Sequence, residues 1–214
     1  MELTSYRGRV HLDLGSGDGR GPYRWAAHAS EWMFLATDAN PDALLQTASR
    51  AGRKPARGGA PNLICIAEPV DVLAVELAGV ADRVTVLLPW GSLLRGLVLP
   101  ETAMLAHLRR LCALNAIVEI IFSYDQERDA SERGPLGTFS VQEQHVRSVL
   151  PQLYESAGLR VTSLEGITQH ELGMYETTWA KRLAFGRSRQ IWRLQATAKD
   201  VPGHATGMGW PSCC

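Results

Sequence analysis

The segment LDLGSGDGRG sets three alternating glycines, Gly15, Gly17 and Gly19, among Ser16, Asp18 and Arg20, directly after Asp13. Glycines at such a turn let a ligand approach the backbone closely. The spacing is G-x-G-x-G with no following Lys-Ser/Thr, so it is not a phosphate-cradling P-loop. Arg20 stands where a dinucleotide fingerprint needs its last glycine, and Asp18 would repel a pyrophosphate. An acid inside the loop suits a ligand with positive groups instead. S-adenosylmethionine carries two, a sulfonium and an ammonium. Asp38, followed by Ala39, ends the next apolar run about 19 residues on, where an acid in nucleotide-binding sheets takes ribose hydroxyls. Ala67 and Glu68 end the third run and would flank the adenine. Asp13, Gly15, Ser16, Gly17, Asp18, Gly19, Arg20, Asp38, Ala39, Ala67 and Glu68 are therefore candidate cofactor contacts.

A second kind of chemistry is marked by VTVLLPWGS, an apolar run that stops at Leu88 and Pro89 and is followed by Trp90. An aromatic ring beside a reactive methyl is what a methyltransferase acting on a planar nitrogen base needs. Stacking one base on one ring contributes about 1–3 kcal/mol. The stretch YETTW offers a second ring, Trp179, and two would make a clamp. A ring nitrogen with an in-plane lone pair needs no general base, and PWGS supplies none. Alignment then does most of the catalysis, lowering a barrier by up to about 7–11 kcal/mol. Backbone carbonyls near Leu88 and the aromatic faces could ease the transient positive charge on the base. Trp25, Trp32 and Trp192 fall in helix or strand patterns and are expected to pack.

These groups need elements to position them. RVHLDLG, WMFLATD, NLICIAE, RVTVLLP and AIVEIIFS are nearly continuous apolar runs of strand length. That pattern predicts parallel strands buried on both faces. Helical patterns lie between them at Pro22 to Ala29, Pro41 to Ala51, Val70 to Leu77 and Pro100 to Leu114, with Asn40 as an N-cap before Pro41. Alternating strand and helix predict an α/β, Rossmann-like, mostly parallel doubly wound sheet. SVQE from Ser140 reads as a capping box before a helix that restarts at Pro151. LRVTSLE and RQIWRLQAT predict two further strands, the last antiparallel. One domain is expected over residues 1–199, with insertions at 123–140 and 166–189 carrying substrate contacts and a disordered tail at 200–214.

Composition narrows the class. Lys+Arg and Asp+Glu number 22 each, so no global field advertises nucleic acid and any basic surface is local. Two runs free of acids stand out: Arg50, Arg53, Lys54 and Arg57, and then Lys181, Arg182, Arg187, Arg189 and Arg193. No apolar run approaches the roughly 18 residues of a membrane span, and the N-terminus lacks a secretion signal, so a cytoplasmic protein is expected. Cys65 and Cys112 sit in apolar runs and read as core, not ligands. Cys213 and Cys214 lack zinc-ligand spacing, and no polybasic stretch accompanies them as prenylation would require.

LDLGSGDGRGPY, RKPARGGAPNL, LPWGSLLRG and YETTWAKRLAFGRSR span most of residues 9–193, and with them the chain resembles the 16S ribosomal RNA methyltransferases that modify N1 of adenine 1408 and confer kanamycin–apramycin resistance. The Gly-loop is shared with many methyltransferases; the PWGSLLRG and ETxWxxRL blocks are specific. The resemblance implies a class I S-adenosylmethionine-dependent fold and a monomer acting on the helix 44 region of the 30S subunit. It implies that Trp90 and Trp179 sandwich the flipped adenine, and that Ser92 and Thr177 or Thr178 line the cofactor or base pocket. Arg182, Arg187 and Arg189 would grip the rRNA backbone, and Arg50, Arg53, Lys54 and Arg57 the ribosomal surface. Two alternatives stay open: a methyltransferase of a transfer RNA base or planar small molecule, and a homologue that binds without turnover.

Overall fold

The computed structural model describes residues 6, 8–99, 102–123, 142–175, 177–178, 180–181 and 189–200. The apolar runs form the strands β1 (Arg9–Leu14), β2 (Trp32–Thr37), β3 (Leu63–Ile66), β4 (Ala81–Leu87) and β5 (Cys112–Phe122), all parallel. β7 (Ile191–Ala198) runs antiparallel between β5 and β6 (Leu159–Ile167). The sheet order is β3-β2-β1-β4-β5-β7-β6. The order reverses at β1, between its neighbours β2 and β4, and at that switch point the carboxyl ends of the strands open a crevice.

Alternation along each strand sorts side chains to two faces. Phe34 and Ala36 face α1 (Arg20–His28) and α2 (Pro41–Ala51), in a cluster with Ala26, Leu44 and Leu63. Val10, Leu12, Leu14, Met33 and Leu35 join a larger core on the other face. That core includes side chains of α3 (Val70–Glu76), α4 (Gly91–Val98), α5 (Thr102–Leu111), α6 (Glu143–Ser148) and α7 (Leu150–Ser156). The central strands are buried on both sides, as their unbroken apolar runs require, whereas β6 and β7 alternate in exposure. Trp192 is core; Trp25 and Trp32 pack half-buried beside the α1 cluster.

The helices follow their sequence signals closely. α2 has Pro41 in its first turn, and the Asn40 side chain accepts from the Asp42 N–H at 3.1 Å. Pro151 sits in the first turn of α7, where its missing N–H costs nothing. One expectation is corrected: the helix expected to reach Leu114 ends at Leu111, and Cys112 to Leu114 belong to β5. Leucine spacing there looks helical, but the pairing of Ala81 with Cys112 recruits the segment into the sheet. Asn115, at φ 64°, marks the irregularity that lets the two strands fall back into register at Arg83 and Ile117. α4 is a helix that the sequence reading does not anticipate. The expected Ser140 cap, most of the insertion at 123–140 and the tail at 201–214 lie outside the described residues. A capping box does occur later: Thr168 and Glu171 cap α8 (Gln169–Gly173) reciprocally. No helix among the described residues is long and apolar enough to cross a membrane.

Candidate active site

A cavity of about 620 Å³ opens at the carboxyl ends of β1, β2 and β4. Its floor is the glycine loop. Gly15, Gly17 and Gly19 all have positive φ, at 73°, 56° and 66°. At Gly17 a Cβ would meet nothing within 4 Å, so the loop presents bare backbone to open space. The loop is fastened from below. The Ser16 hydroxyl donates to the Asp13 carbonyl at 2.9 Å, and the Ser16 N–H to the Thr37 carbonyl at 2.8 Å.

Among the described residues, five carboxylates line this cavity: Asp13, Asp18, Asp38, Glu68 and Asp71. Asp13 is buried, 3% exposed, and accepts from the Thr85 hydroxyl at 2.6 Å. Burial pushes its carboxyl up from 3.8 to about 6; hydrogen bonds from Thr85 and Ser16 oppose that rise, and the nearby Asp38 charge adds to it. Asp38 accepts the Gly17 N–H at 2.8 Å and the Asn40 N–H at 2.9 Å. It therefore braces the loop, and each oxygen retains acceptor capacity for a ribose hydroxyl. Asp18 accepts from the Thr178 hydroxyl at 2.7 Å, a link from the glycine loop to the long last connection.

The remaining wall comes from the end of β4. Leu88 holds φ at 54°, a conformation that costs a branched residue of order 1–3 kcal/mol and tends to cluster at active sites. Its N–H donates to the Ile121 carbonyl at 2.7 Å, and its side chain is buried beside Leu87 and Ile121. The turn brings Pro89 and half-buried Trp90 to the cavity, and Trp90 is the N-cap residue of α4. Ser92 and Leu93, in the first turn of α4, line it as well. Tyr154, fully buried on α7, fixes α4 from behind by donating to the Leu97 carbonyl at 3.1 Å.

The structure thus brings together Asp13, Gly15, Ser16, Gly17, Asp18, Asp38, Ala39, Glu68, Leu88, Pro89, Trp90, Ser92, Thr177 and Thr178 around one cavity. Gly19, Arg20 and Ala67 are not on its wall. Gly19 is the N-cap of α1, and Arg20 turns its guanidinium to Asp18 and Gln46. Thr37, Asp71, Leu93, Met104 and His107 line the cavity without having stood out in the sequence. Trp179, Arg182 and Arg187 lie outside the described residues. Their neighbours are held in place: Thr177 accepts the Ala180 N–H at 3.0 Å, Ala180 is buried, and the Tyr175 hydroxyl donates to Glu119 at 2.9 Å.

The basic run at 50–57 is not at the cavity. Asn40 starts α2 at the cavity side, so Arg50, ten residues on, lies about 15 Å further along the helix axis at 1.5 Å per residue. Arg50, Arg53, Lys54 and Arg57 are all exposed there, with Arg50 over the Tyr23 ring at 4.7 Å. Gly59 closes the loop, and a Cβ on it would collide with the Arg53 carbonyl at 1.7 Å. Lys181 is exposed and Arg189 half-buried. No cluster of His, Cys, Asp and Glu among the described residues could hold a metal ion.

Comparison with known proteins decides what this geometry belongs to. The sequence model of the NpmA family, 16S rRNA (adenine(1408)-N(1))-methyltransferase, matches residues 1–198. The chain belongs to this family. A 16S rRNA (adenine(1408)-N(1))-methyltransferase of Escherichia coli is 30% identical over 202 residues, covering 90% of each chain. The aminoglycoside resistance methyltransferase NpmB1 superposes with a TM-score of 0.76 at 39% identity, over 92% of this chain and 90% of the other. A tryptophan-to-alanine variant of the Catenulisporales acidiphilia 16S rRNA (adenine(1408)-N(1))-methyltransferase, solved with its cosubstrate SAM, superposes with a TM-score of 0.79. It is 34% identical over 94% of this chain and 90% of its own. The protein is an S-adenosylmethionine-dependent rRNA methyltransferase, and the cavity's carboxylates and bare glycine backbone fit that cationic cofactor.

Proposed function

We propose that the enzyme methylates N1 of adenine 1408 in 16S rRNA with Trp90 and Trp179 as the two faces of a base clamp. Bound S-adenosylmethionine supplies an activated methyl on a sulfonium. Asp13, Asp18 and Asp38 attract its positive charge and ribose, and Glu68 and Ala39 flank its adenine. Leu88 and Pro89 turn the chain so that Trp90 faces the cavity, and Ser92, Thr177 and Thr178 line the space between cofactor and base. The base nitrogen attacks with its own lone pair, so no side chain need remove a proton first. Carbonyls at Leu88 and Pro89 and the indole faces ease the positive charge left on the ring, and a proton on the exocyclic nitrogen then leaves to water. Extruding the base costs a few kcal/mol, which stacking offsets.

The substrate is the 30S subunit at its helix 44 region. Arg50, Arg53, Lys54 and Arg57 meet it on one flank, and Lys181, Arg182, Arg187 and Arg189 beside the clamp. A methyl on the pairing edge of adenine 1408 gives aminoglycoside resistance. The enzyme acts in the cytoplasm as a monomer whose single domain spans residues 1–199.

The observation that carries this reading is Trp90, presented by a strained Leu88 turn on the wall of the carboxylate-lined cavity. The test is primer extension on 30S subunits incubated with protein and S-adenosylmethionine. A reverse-transcriptase stop at adenine 1408 is expected. Tight cofactor binding without a stop would turn the assignment toward a transfer RNA base or a planar small molecule.

A further inference from the structure

Asp13 does not stand alone. His11 and Asp13, two apart on β1, point to the α1 face of the sheet, where Asp13 pairs in register with Thr85 of β4. The Thr85 hydroxyl lies 2.6 Å from Asp13 Oδ1 and 3.2 Å from His11 Nε2. Thr85 and Asp13 are each only 3% exposed, so water does not substitute for these contacts. Thr85 has one proton. When it is donated to an ionised Asp13, His11 Nε2 must carry the proton that completes the chain. Two donors in series then point at the carboxylate. His11 is locked in that row by its stack on Trp25, with ring centroids 4.9 Å apart and planes 5° from parallel. His11 and Trp25 both line a second cavity of about 360 Å³.

We propose that Thr85 and His11 are positioning residues for cofactor capture, holding the Asp13 carboxyl ionised and oriented so that the proton occupancy of Asp13 sets the affinity for S-adenosylmethionine. The inference rests on the cavity being the cofactor site. The charged surroundings support it. Asp38, from the end of β2, faces Asp13 and favours its protonation. Burial, with Arg83 of β4 secondarily, pushes His11 down to about 3, so it stays a neutral donor. Arg83 is itself paired with Glu119 of β5 at 2.9 Å, and Glu119 also accepts from Tyr175. α1 contributes the Trp25 ring to His11, and among the described residues the other ionisable groups on the cofactor cavity are Asp18, Glu68, Asp71 and His107. A buried carboxyl near 6 has to lose its proton to receive a cation, so cofactor binding and deprotonation are linked.

The test is calorimetric titration of the full chain with S-adenosylmethionine between pH 5 and 8. Wild type should lose about tenfold in affinity per pH unit below the midpoint. Thr85→Val removes a charge-assisted hydrogen bond and should move the midpoint up by about one to two pH units. His11→Phe, which keeps the ring stack, should move it the same way by less, and Thr85→Ser should restore the wild-type midpoint. Wild-type midpoints in both Thr85→Val and His11→Phe overturn the inference. Asp13→Asn should bind weakly with no pH step. If Asp13→Asn instead keeps wild-type affinity and step, the cofactor-site reading falls together with the inference. A flat Asp13→Asn profile beside an unmoved Thr85→Val midpoint sinks the inference alone.

Discussion

At the residue scale, the fold keeps Asp13 where its charge is costly. Its ordinary carboxyl value of 3.8 is raised to about 6 in the folded chain, mainly by burial. A raised folded value means that the native state binds the proton more tightly than the unfolded chain does. The group's stabilising contribution is therefore complete below about pH 3.8 and is lost as pH rises through 6. Two pH units amount to about 3 kcal/mol. Asp13→Asn, which can still accept from Thr85, should raise Tm by several degrees at pH 8, with the gain shrinking toward pH 4; a Tm series across pH checks it. His11 works in the opposite sense. Its value is lowered from 6.5 to about 3, so its contribution is lost as pH falls through that window. Below neutrality the unfolded chain puts its proton on the histidine and the folded chain puts it on the aspartate. The clamp is also a residue-scale claim. Trp90→Ala and Trp179→Ala should each reduce methylation of 30S subunits at least a hundredfold while cofactor affinity by calorimetry changes less than threefold. One missing stacking platform of about 1–3 kcal/mol plus poorer alignment accounts for that split.

At the element scale, the site depends on α4 and on what stands behind it. The helix begins at Gly91 with Trp90 as its N-cap residue, and no side chain caps it, so packing has to fix it. Leu94, Leu97 and Val98 bury one face, and two bonds come from the helices behind: Tyr154 to the Leu97 carbonyl and His145 Nε2 to the Val98 carbonyl at 2.6 Å. Tyr154→Phe should cost about 1 kcal/mol, read as a drop of about 2–4 °C in Tm, because a buried carbonyl loses its donor. The fold of the loop at 53–59 is likewise explained by hydrogen bonds. The Arg57 N–H donates to the Lys54 carbonyl at 2.8 Å, and the Gly59 N–H returns to the same carbonyl at 3.1 Å. The backbone thereby satisfies itself and the cationic side chains are left to solvent.

At the scale of the whole molecule, a neutral chain has to bind a highly charged subunit through local patches. The cavity side carries the carboxylates, and the exposed run at 50–57 sits at the far end of α2 from them. The acid-free run is thus set apart from the carboxylates of the cavity. The double variant Arg53→Glu with Arg57→Glu should weaken 30S binding and flatten its dependence on log salt by about 0.9 for each phosphate no longer neutralised. Cofactor affinity should not change, since neither residue lines the cavity. Filter binding over a range of salt concentrations, with cofactor titration in parallel, checks both statements.

The sequence by itself determined the sheet and the floor of the site. Continuous apolar runs can be buried only between two layers of helices, and three alternating glycines with an acid among them after the first run leave few ligands open. Those features are local and were legible in HLDLGSGDG and in the position of Asp38. The motif resemblance reached Trp90, Ser92 and the threonines at 177 and 178, because they fall in blocks of distinctive spacing. Tertiary structure alone decided the rest. The leucines before Asn115 read as helix until β4 pairs with Cys112. Asp71, Met104 and His107 reach the cavity only because α3 and α5 pack beside it. The row of His11, Thr85 and Asp13 joins residues 72 and 74 apart in the chain, and no period within either strand announces it. Local patterns encode which surfaces must be buried; the register between distant strands decides which polar groups then meet, and there the proton on Asp13 is set.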